Sequence, residues 1–352
     1  MPPESRTQTV KNLYLVSKRT NRRYVLNGDL EDYSKPEGEA FSLEFADHMV
    51  IEARKLPPKV DLRPWMTEVE NQASLKSCTA NAVAGAYEYL YNKATGDKID
   101  VSRLFIYYNS RIKRLPRFGE LKDAGSAISD AIASLSETGV CLEDMWKYDR
   151  WKVNDQPYSD CYEAAKEHMI VEALEVHLDL TELKTCLAQG FPIVISINVY
   201  KSFDEAEKKG IVPMPRSDDE LRAMHGRHAV LLVGYSNSSQ AFIVRNSWGT
   251  EWGDQGYCYI PYKYITNPNL TNYAWTVKKL NVQNFDHVGW CPADAINYRE
   301  GEEEEEFDEN EGAARSGGDD EDEADIEEVD EDIEYVEYNE DCNNNNNDDE
   351  NN

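Results

Sequence analysis

The 352-residue sequence has no apolar run long enough to cross a membrane, and its N-terminal region has no apolar segment of the kind a signal peptide needs. Its seven cysteines are odd in number and include no CxxC pair, so neither a disulfide scaffold nor a zinc site is expected. We therefore expect reduced thiols and an intracellular, cytoplasmic protein, with a virion component as the alternative location.

Basic residues are almost absent from the C-terminal stretch, residues 301–352. This stretch contains 26 acidic residues and one basic residue, Arg315, and carries most of the net charge of −30. Such a low-complexity segment repels itself and offers little surface to bury, so we predict a disordered, acidic and Asn-rich tail. The acidic balance argues against nucleic acid or an anionic membrane as a partner, and makes a basic protein the expected partner of the tail.

The rest of the chain changes character near residue 190. Apolar residues recur at helical spacing from Cys78 up to the glycine at 96, over 127–139 and over 181–190. After residue 190 the runs IVISINVY, HAVLLVGYS, AFIVRNS, GYCYIPYKYI and AWTVKKL are typical of strands. The sequence therefore predicts an α+β fold with a cleft between a helical and a sheet-rich half.

Two adjacent prolines at 57 and 58 mark a break before this domain. We predict three parts: an N-terminal arm or short propeptide over 1–55, a folded domain over 56–300, and the tail over 301–352.

One cysteine stands at a position that suggests chemistry. Cys78 opens the helical run TANAVAGAYEYLY, and the unpaired N–H groups and positive dipole of a helix N-terminus favour thiolate over thiol. A buried, unreactive cysteine is the alternative, because free cysteine commonly behaves as a small apolar residue. A nucleophilic cysteine would also need a base, and the base an orienting group.

Two residues of the sheet-rich half could supply that pair. His228 begins the run HAVLLVGYS, and Asn246 ends the run AFIVRN after the turn NSSQ. A hairpin folded about this turn would place them nearly opposite each other, with Cβ atoms roughly 5 Å apart, so that the Asn246 carbonyl could hold the imidazole. His225 is the rival base, but it precedes the run and has no asparagine opposite.

Gln72 lies six residues before Cys78. Its side-chain amide and the backbone N–H of Cys78 could form an oxyanion hole. A surface loop residue is the alternative interpretation of Gln72, and a satisfied strand-end histidine that of His228.

The segments VDLRPWMTEVENQASLKSCTANA, HAVLLVGY and VRNSWGTEWGDQGY together resemble the papain-like (cathepsin-type) cysteine peptidase family, in the branch with a nucleophile motif similar to QGxLGSCTANA. The similarity covers about residues 56–280, with cysteine before histidine and asparagine as the family pattern requires. It implies two lobes, a helical one carrying the nucleophile helix and an antiparallel, barrel-like β lobe, with a cleft between them. It also implies a polypeptide substrate and no metal or cofactor.

The resemblance assigns roles to further residues. Trp248 would shield the contact between His228 and Asn246 from water, and Gly125 would line the cleft and offer its backbone to an extended substrate. Lys76 departs from the family, which usually has glycine just before the Ser–Cys pair. Its bulk could narrow the pocket beside the scissile bond, or its charge could lower the thiol pKa and favour acidic substrates.

Three functions are open at this point. The first is a cysteine endopeptidase that uses the four residues above, with residues 1–55 either an inhibitory propeptide cut near Lys55 to Lys59 or a permanently packed arm. The second is a catalytically silent papain fold that acts as an interaction module through its acidic tail. The third, a transglutaminase-type acyl-transfer enzyme, is disfavoured because such triads normally end in aspartate rather than Asn246.

Overall fold

The computed structural model describes residues 14–17, 22–31, 44–215 and 224–282. The predicted acidic tail and much of the N-terminal region lie outside these ranges, so the three-part division of the chain stays a prediction. No helix within the described ranges is long and apolar enough to span a membrane.

The chain up to residue 190 is mainly helical, as its periodicity predicts. The predicted helices correspond to α1 (Cys78–Thr95), α3 (Ile128–Glu137) and α5 (Leu180–Ala188). The other helices are α2 (Arg103–Ile112), α4 (Ser159–Ala165), α6 (Ala206–Lys209) and α7 (Tyr262–Ile265). Each of the three predicted helices has a glycine within two residues of its C-terminal end, which acts as a stop signal. Helices α2 and α4 have no glycine there.

The remaining chain builds an antiparallel sheet. The strands are β1 (Tyr14–Val16), β2 (Arg23–Val25), β3 (Lys59–Asp61), β4 (Ile170–Val176), β5 (Ile193–Val199), β6 (Gly226–Ser236), β7 (Ala241–Arg245), β8 (Tyr257–Pro261) and β9 (Thr271–Leu280). Strands β1 and β2 form a separate pair, and the main sheet has the order β4-β9-β5-β6-β7-β8 with β3 on β6. The α+β class is confirmed, but among the described strands β4 and β8 do not pair, so the sheet is open and not a closed barrel.

Helix α1 joins the two halves. It packs against β6 as well as against α2 and α3. Small residues allow this close approach, because a β-carbon on Gly85 would lie only 3.4 Å from Leu231 Cδ2 on β6. The N-terminus of α1 is thereby held beside the strand that carries His228.

The β6–β7 hairpin has a different register from the predicted one. Leu231 pairs with Arg245, and the register shifts between Leu232 and Gly234. Counting on from that pair places residue 230, not His228, opposite Asn246. The expected near-opposition of His228 and Asn246 is therefore off by two residues. The turn is centred between Ser238 and Ser239, later than expected, and the bulge restores only one residue of that offset.

Candidate active site

Cys78 is the first residue of α1 and is completely buried. The backbone N–H of Ala229, the residue after His228 in β6, acts on this thiol and lowers its pKa, although burial outweighs it. The packing of α1 on β6 therefore brings the predicted nucleophile and the predicted base to the same place.

His228 is also completely buried, and its Nε2 lies 2.8 Å from Asn246 Oδ1. The same oxygen accepts the backbone N–H of Ser247 at 2.8 Å, so it is the carbonyl end of the amide that faces the ring. Nε2 must then carry the imidazole proton, which leaves Nδ1 as the basic nitrogen. Nδ1 has no hydrogen-bond partner in the described part of the chain and is available to a thiol. The asparagine contact goes to His228 and not to His225, which lies before β6.

The two side chains meet although they are not opposed in the sheet. Diagonal neighbours on one face of an antiparallel pair remain within reach of long side chains, and His228 and Asn246 use that geometry.

Trp248 covers the imidazole. Its ring stacks on that of His228 with centroids 4.7 Å apart and an interplanar angle of 26°, and Trp252 packs edge-on behind it at 4.9 Å. Trp248 is 2% exposed. This position fits the shielding role predicted for Trp248.

Gln72 is buried beside the site, but its amide is turned towards protein groups. Its Nε2 donates to Leu75 O at 2.9 Å, and its Oε1 accepts from Ser247 Oγ at 2.6 Å. One of the two N–H groups of Gln72 Nε2 is therefore engaged within its own loop. The second N–H is the one that can donate to an oxyanion.

Tyr148 is a site residue that the sequence reasoning missed. Its hydroxyl donates to Gln72 O at 2.9 Å and lies 2.5 Å from Ser77 Oγ, which must then donate to it. Arg103, which pairs with Glu70 at 2.8 Å, lies 4.4 Å above the Tyr148 ring. Tyr148 thus ties the Gln72 loop to the residue that precedes Cys78, a link that no local pattern indicates.

Residues 22–31, here named the cleft segment, cover Cys78. A β-carbon on Gly28 would lie 2.6 Å from Lys76 O and 2.8 Å from Cys78 Sγ. On the other side, a β-carbon on Gly125 would lie 2.6 Å from Gly28 O. The predicted cleft residues Lys76 and Gly125 therefore both face this segment, and Gly28 sits where it blocks access to the sulfur.

Backbone hydrogen bonds hold the cleft segment to both walls. Leu30 N donates to Ser126 O at 3.2 Å, and Ser126 N donates to Gly28 O at 3.0 Å. On the opposite wall, Asn27 N donates to Arg227 O at 2.9 Å, and Arg227 N donates to Asn27 Oδ1 at 3.1 Å. Side chains add the pairs Tyr24–Trp248, stacked at 5.0 Å, Asp29–Ser196 and Glu31–Arg227.

Burial beneath the cleft segment sets the protonation of the pair. It raises the pKa of Cys78 to about 12, with a further increase from the Asp29 carboxylate. It lowers the pKa of His228 to about 4, although the Asn246 hydrogen bond acts in the opposite direction. At neutral pH the site therefore holds a neutral thiol and a neutral imidazole. The thiol pKa is therefore raised in this covered state and not lowered as expected, because desolvation outweighs the lowering effect of Ala229 and Thr79.

Lys76 is buried next to the nucleophile. Its backbone N–H donates to Asp123 Oδ1 at 3.1 Å, and burial lowers the pKa of its ammonium. Within the described ranges no group of three His, Cys, Asp or Glu side chains could hold a metal ion.

The sequence matches a known family model. The model of the papain family cysteine proteases aligns with residues 56–276. An uncharacterized peptidase C1-like protein of Acanthamoeba polyphaga mimivirus is 36% identical over 263 residues, which cover 70% of this chain and 81% of that protein. A cathepsin L-like protein of Caenorhabditis elegans is 28% identical over 212 residues, 58% of each chain.

Solved structures agree with this match. Xylellain, a cysteine protease from Xylella fastidiosa, has 34% identity and a TM-score of 0.61, with 72% of this chain and 95% of that chain covered. A digestive procathepsin L2 proteinase from Tenebrio molitor, at 21% identity and a TM-score of 0.57 over 72% of this chain and 78% of that chain, shares the fold. The chain therefore belongs to the papain family of cysteine proteases and is a cysteine peptidase that acts on polypeptides.

Proposed function

We propose that the protein is a cysteine endopeptidase that works through Cys78, His228 and Asn246 and is made as a zymogen closed by the cleft segment. The observation that carries the triad is the contact between Asn246 Oδ1 and His228 Nε2. This contact fixes the tautomer and leaves Nδ1 free to take the thiol proton at the start of α1.

The reaction follows from these positions. His228 Nδ1 takes the proton from Cys78 Sγ, and the thiolate forms a bond to the carbonyl carbon of the scissile peptide. The C–N bond then breaks as the imidazolium gives its proton to the leaving nitrogen. His228 takes a proton from water as the water attacks the thioester carbonyl carbon. The C–S bond then breaks, the acid product leaves, and the imidazolium returns its proton to Cys78 Sγ.

The oxyanion of the tetrahedral intermediate needs two donors. The Cys78 backbone N–H at the start of α1 has no partner inside the helix and can serve as one. Gln72 Nε2 is the second, through the N–H that does not donate to Leu75 O. The hydrogen bond from Tyr148 to Gln72 O holds the backbone of this loop in place.

The geometry of the cleft segment supports inhibition and not turnover. The carbonyl of Gly28 accepts a hydrogen bond from Ser126 N, so it is not presented to the Gln72 amide. The thiol beneath it is neutral at physiological pH. Removal of the segment would return water to the site, lower the Cys78 pKa and raise the His228 pKa, which favours the reactive thiolate–imidazolium pair.

Maturation would proceed by cleavage between the cleft segment and the domain, near Lys55 to Lys59. Support for an intracellular, reducing location comes from the five described cysteines, which are all free. The charge of residues 301–352 supports a basic protein as partner of the tail.

The test uses the purified full-length chain, a quenched peptide mixture and an epoxysuccinyl inhibitor that modifies active-site thiolates. We expect hydrolysis to rise with time as the N terminus moves to residues 55–59 by mass spectrometry. The inhibitor should modify Cys78 and stop hydrolysis. His228→Ala should lose both signals, whereas Cys258→Ala, which changes a buried cysteine in β8, should keep them.

Other results would overturn parts of the proposal. Fully active enzyme that still begins at Met1 or Pro2 would remove the zymogen. Neither hydrolysis nor modification of Cys78, in chain with and without residues 1–55, would replace the peptidase by the silent interaction module.

A further inference from the structure

Lys76 is a buried cation in the wall of the cleft. The residue is 2% exposed, and its Nζ has no hydrogen-bond partner in the described part of the chain. Its own carbonyl faces Gly28 of the cleft segment, as Cys78 Sγ does. A buried ammonium without a partner is unfavourable and loses its proton more readily, so a carboxylate brought beside it would stabilise the charged form.

Asp123, the carboxylate whose charge acts on this ammonium, does not serve as that partner. Asp123 raises the ammonium pKa through its charge, but its Oδ1 already accepts the Lys76 backbone N–H at 3.1 Å and the Tyr107 hydroxyl at 2.5 Å. That same hydroxyl accepts the Gly125 N–H at 2.9 Å. Asp123 therefore organises the cleft wall rather than neutralising the Lys76 side chain.

The cleft segment does not supply an anion either. Its two acidic side chains have other partners: Asp29 accepts a hydrogen bond from Ser196, and Glu31 pairs with Arg227. Gly28 lies against the Lys76 carbonyl, and Lys76 Nζ has no hydrogen-bond partner among the described residues of this segment. The covered form thus leaves the ammonium without a carboxylate from the cleft segment.

The reaction fixes which half of a substrate meets Lys76. His228 must protonate the leaving nitrogen, so the leaving half of the substrate lies towards His228 and Trp248. The attacked carbonyl turns its oxygen towards Gln72 and the Cys78 N–H. The residue that provides this carbonyl consequently lies against the loop of residues 72–77, which includes Lys76.

Resting on the proposed peptidase function, we propose that Lys76 determines specificity by pairing with an acidic side chain, Asp or Glu, on the residue whose carbonyl is attacked. The substrate carboxylate supplies the partner that neither Asp123 nor the cleft segment provides. The large side chain of Lys76 would then select substrates by its charge and would not merely exclude them by its size.

The experiment compares two peptides that differ only by Glu or Gln at the residue before the cut, with the cut bond verified by mass spectrometry. The ratio of their kcat/KM values on one preparation of full-length enzyme is independent of the fraction of enzyme that is open. We expect a preference for Glu of about tenfold or more, the size of a hydrogen bond to a charged group. Lys76→Met should bring the ratio close to one, Lys76→Arg should keep a preference for Glu, and Lys263→Met on the exposed side of α7 should leave it unchanged.

Each outcome separates this inference from the function beneath it. Equal rates for the two peptides, a preference for Gln, or a preference that survives in Lys76→Met would overturn the role of Lys76 while the peptidase stands. If neither peptide nor the quenched peptide mixture is cut and the epoxysuccinyl inhibitor does not modify Cys78, the peptidase function itself fails. Thermal unfolding of the variants checks that Lys76→Met folds, and Lys76→Arg tests the charge if it does not.

Discussion

Replacing Gly28 by alanine should open the active site without replacing any catalytic residue. The added β-carbon would lie 2.6 Å from Lys76 O, 2.8 Å from Lys76 C and 2.8 Å from Cys78 Sγ. Two of these atoms are backbone, and the third belongs to a short side chain fixed at the start of α1. Since the two backbone atoms cannot rotate away, the substitution should displace the cleft segment.

The size of the effect follows from the cost of overpacking. One additional carbon in a tightly packed site typically costs about 1–3 kcal/mol. This cost applies only while the cleft segment is seated, so it shifts the balance towards the open form by about 5- to 150-fold. If the inhibitor reaches Cys78 only in the open form, and opening is fast compared with modification, the modification rate rises by the same factor.

The assay is the rate at which the epoxysuccinyl inhibitor modifies Cys78 in full-length protein, followed by intact mass at several inhibitor concentrations. Gly96→Ala is the matched control. It adds the same carbon at the other end of α1, where φ is 81° and no atom lies within 4 Å. Alanine is strained in this left-handed conformation, so the control destabilises the fold without contacting the cleft segment.

Two results would refute this reasoning. Equal modification rates in the wild type and Gly28→Ala, with both proteins folded, would mean that the cleft segment does not guard Cys78. An equal increase in Gly96→Ala would mean that general loosening, and not release of the segment, exposes the thiol.

The remaining predictions concern positioning and stability. Asn246→Ala should lower kcat of the mature enzyme by about tenfold or more, because His228 loses its orienting acceptor; an unchanged kcat would refute that role. Tyr148→Phe should lower kcat several-fold with little change in KM, because the Gln72 loop loses its link to Ser77. A several-fold increase in KM with kcat unchanged would point to substrate binding instead. Burial raises the pKa of Glu88 from 4.5 to about 7, so the folded protein binds this proton more tightly than the unfolded chain does. The stability of the fold therefore falls as the pH rises from 4.5 through about 7. The free energy of unfolding of the wild type relative to Glu88→Gln should therefore drop by about 3 kcal/mol between pH 4 and pH 8 in denaturant titrations, and a pH-independent difference would contradict it.

Local patterns were sufficient for much of the fold. The limits of α1 follow from apolar spacing and the glycine at 96, because a helix buries one face and stops where a left-handed residue is easy. Patterns failed where a contact decides the outcome. The β6–β7 register depends on a bulge between Leu232 and Gly234 that alternation does not reveal. Tyr148 reaches Gln72 over 76 residues of chain, and nothing near it in sequence indicates the contact.

The sequence by itself determined the chemical groups of the site and their order along the chain, because the family motifs preserve residue types at fixed spacing. Only the tertiary structure decided that the site is closed. Residues 22–31 lie some fifty positions before Cys78, and their packing in the cleft contributes to the burial that raises the thiol pKa and lowers the imidazole pKa. Protonation depends on solvent exposure, which is a property of contacts between distant segments and not of local sequence.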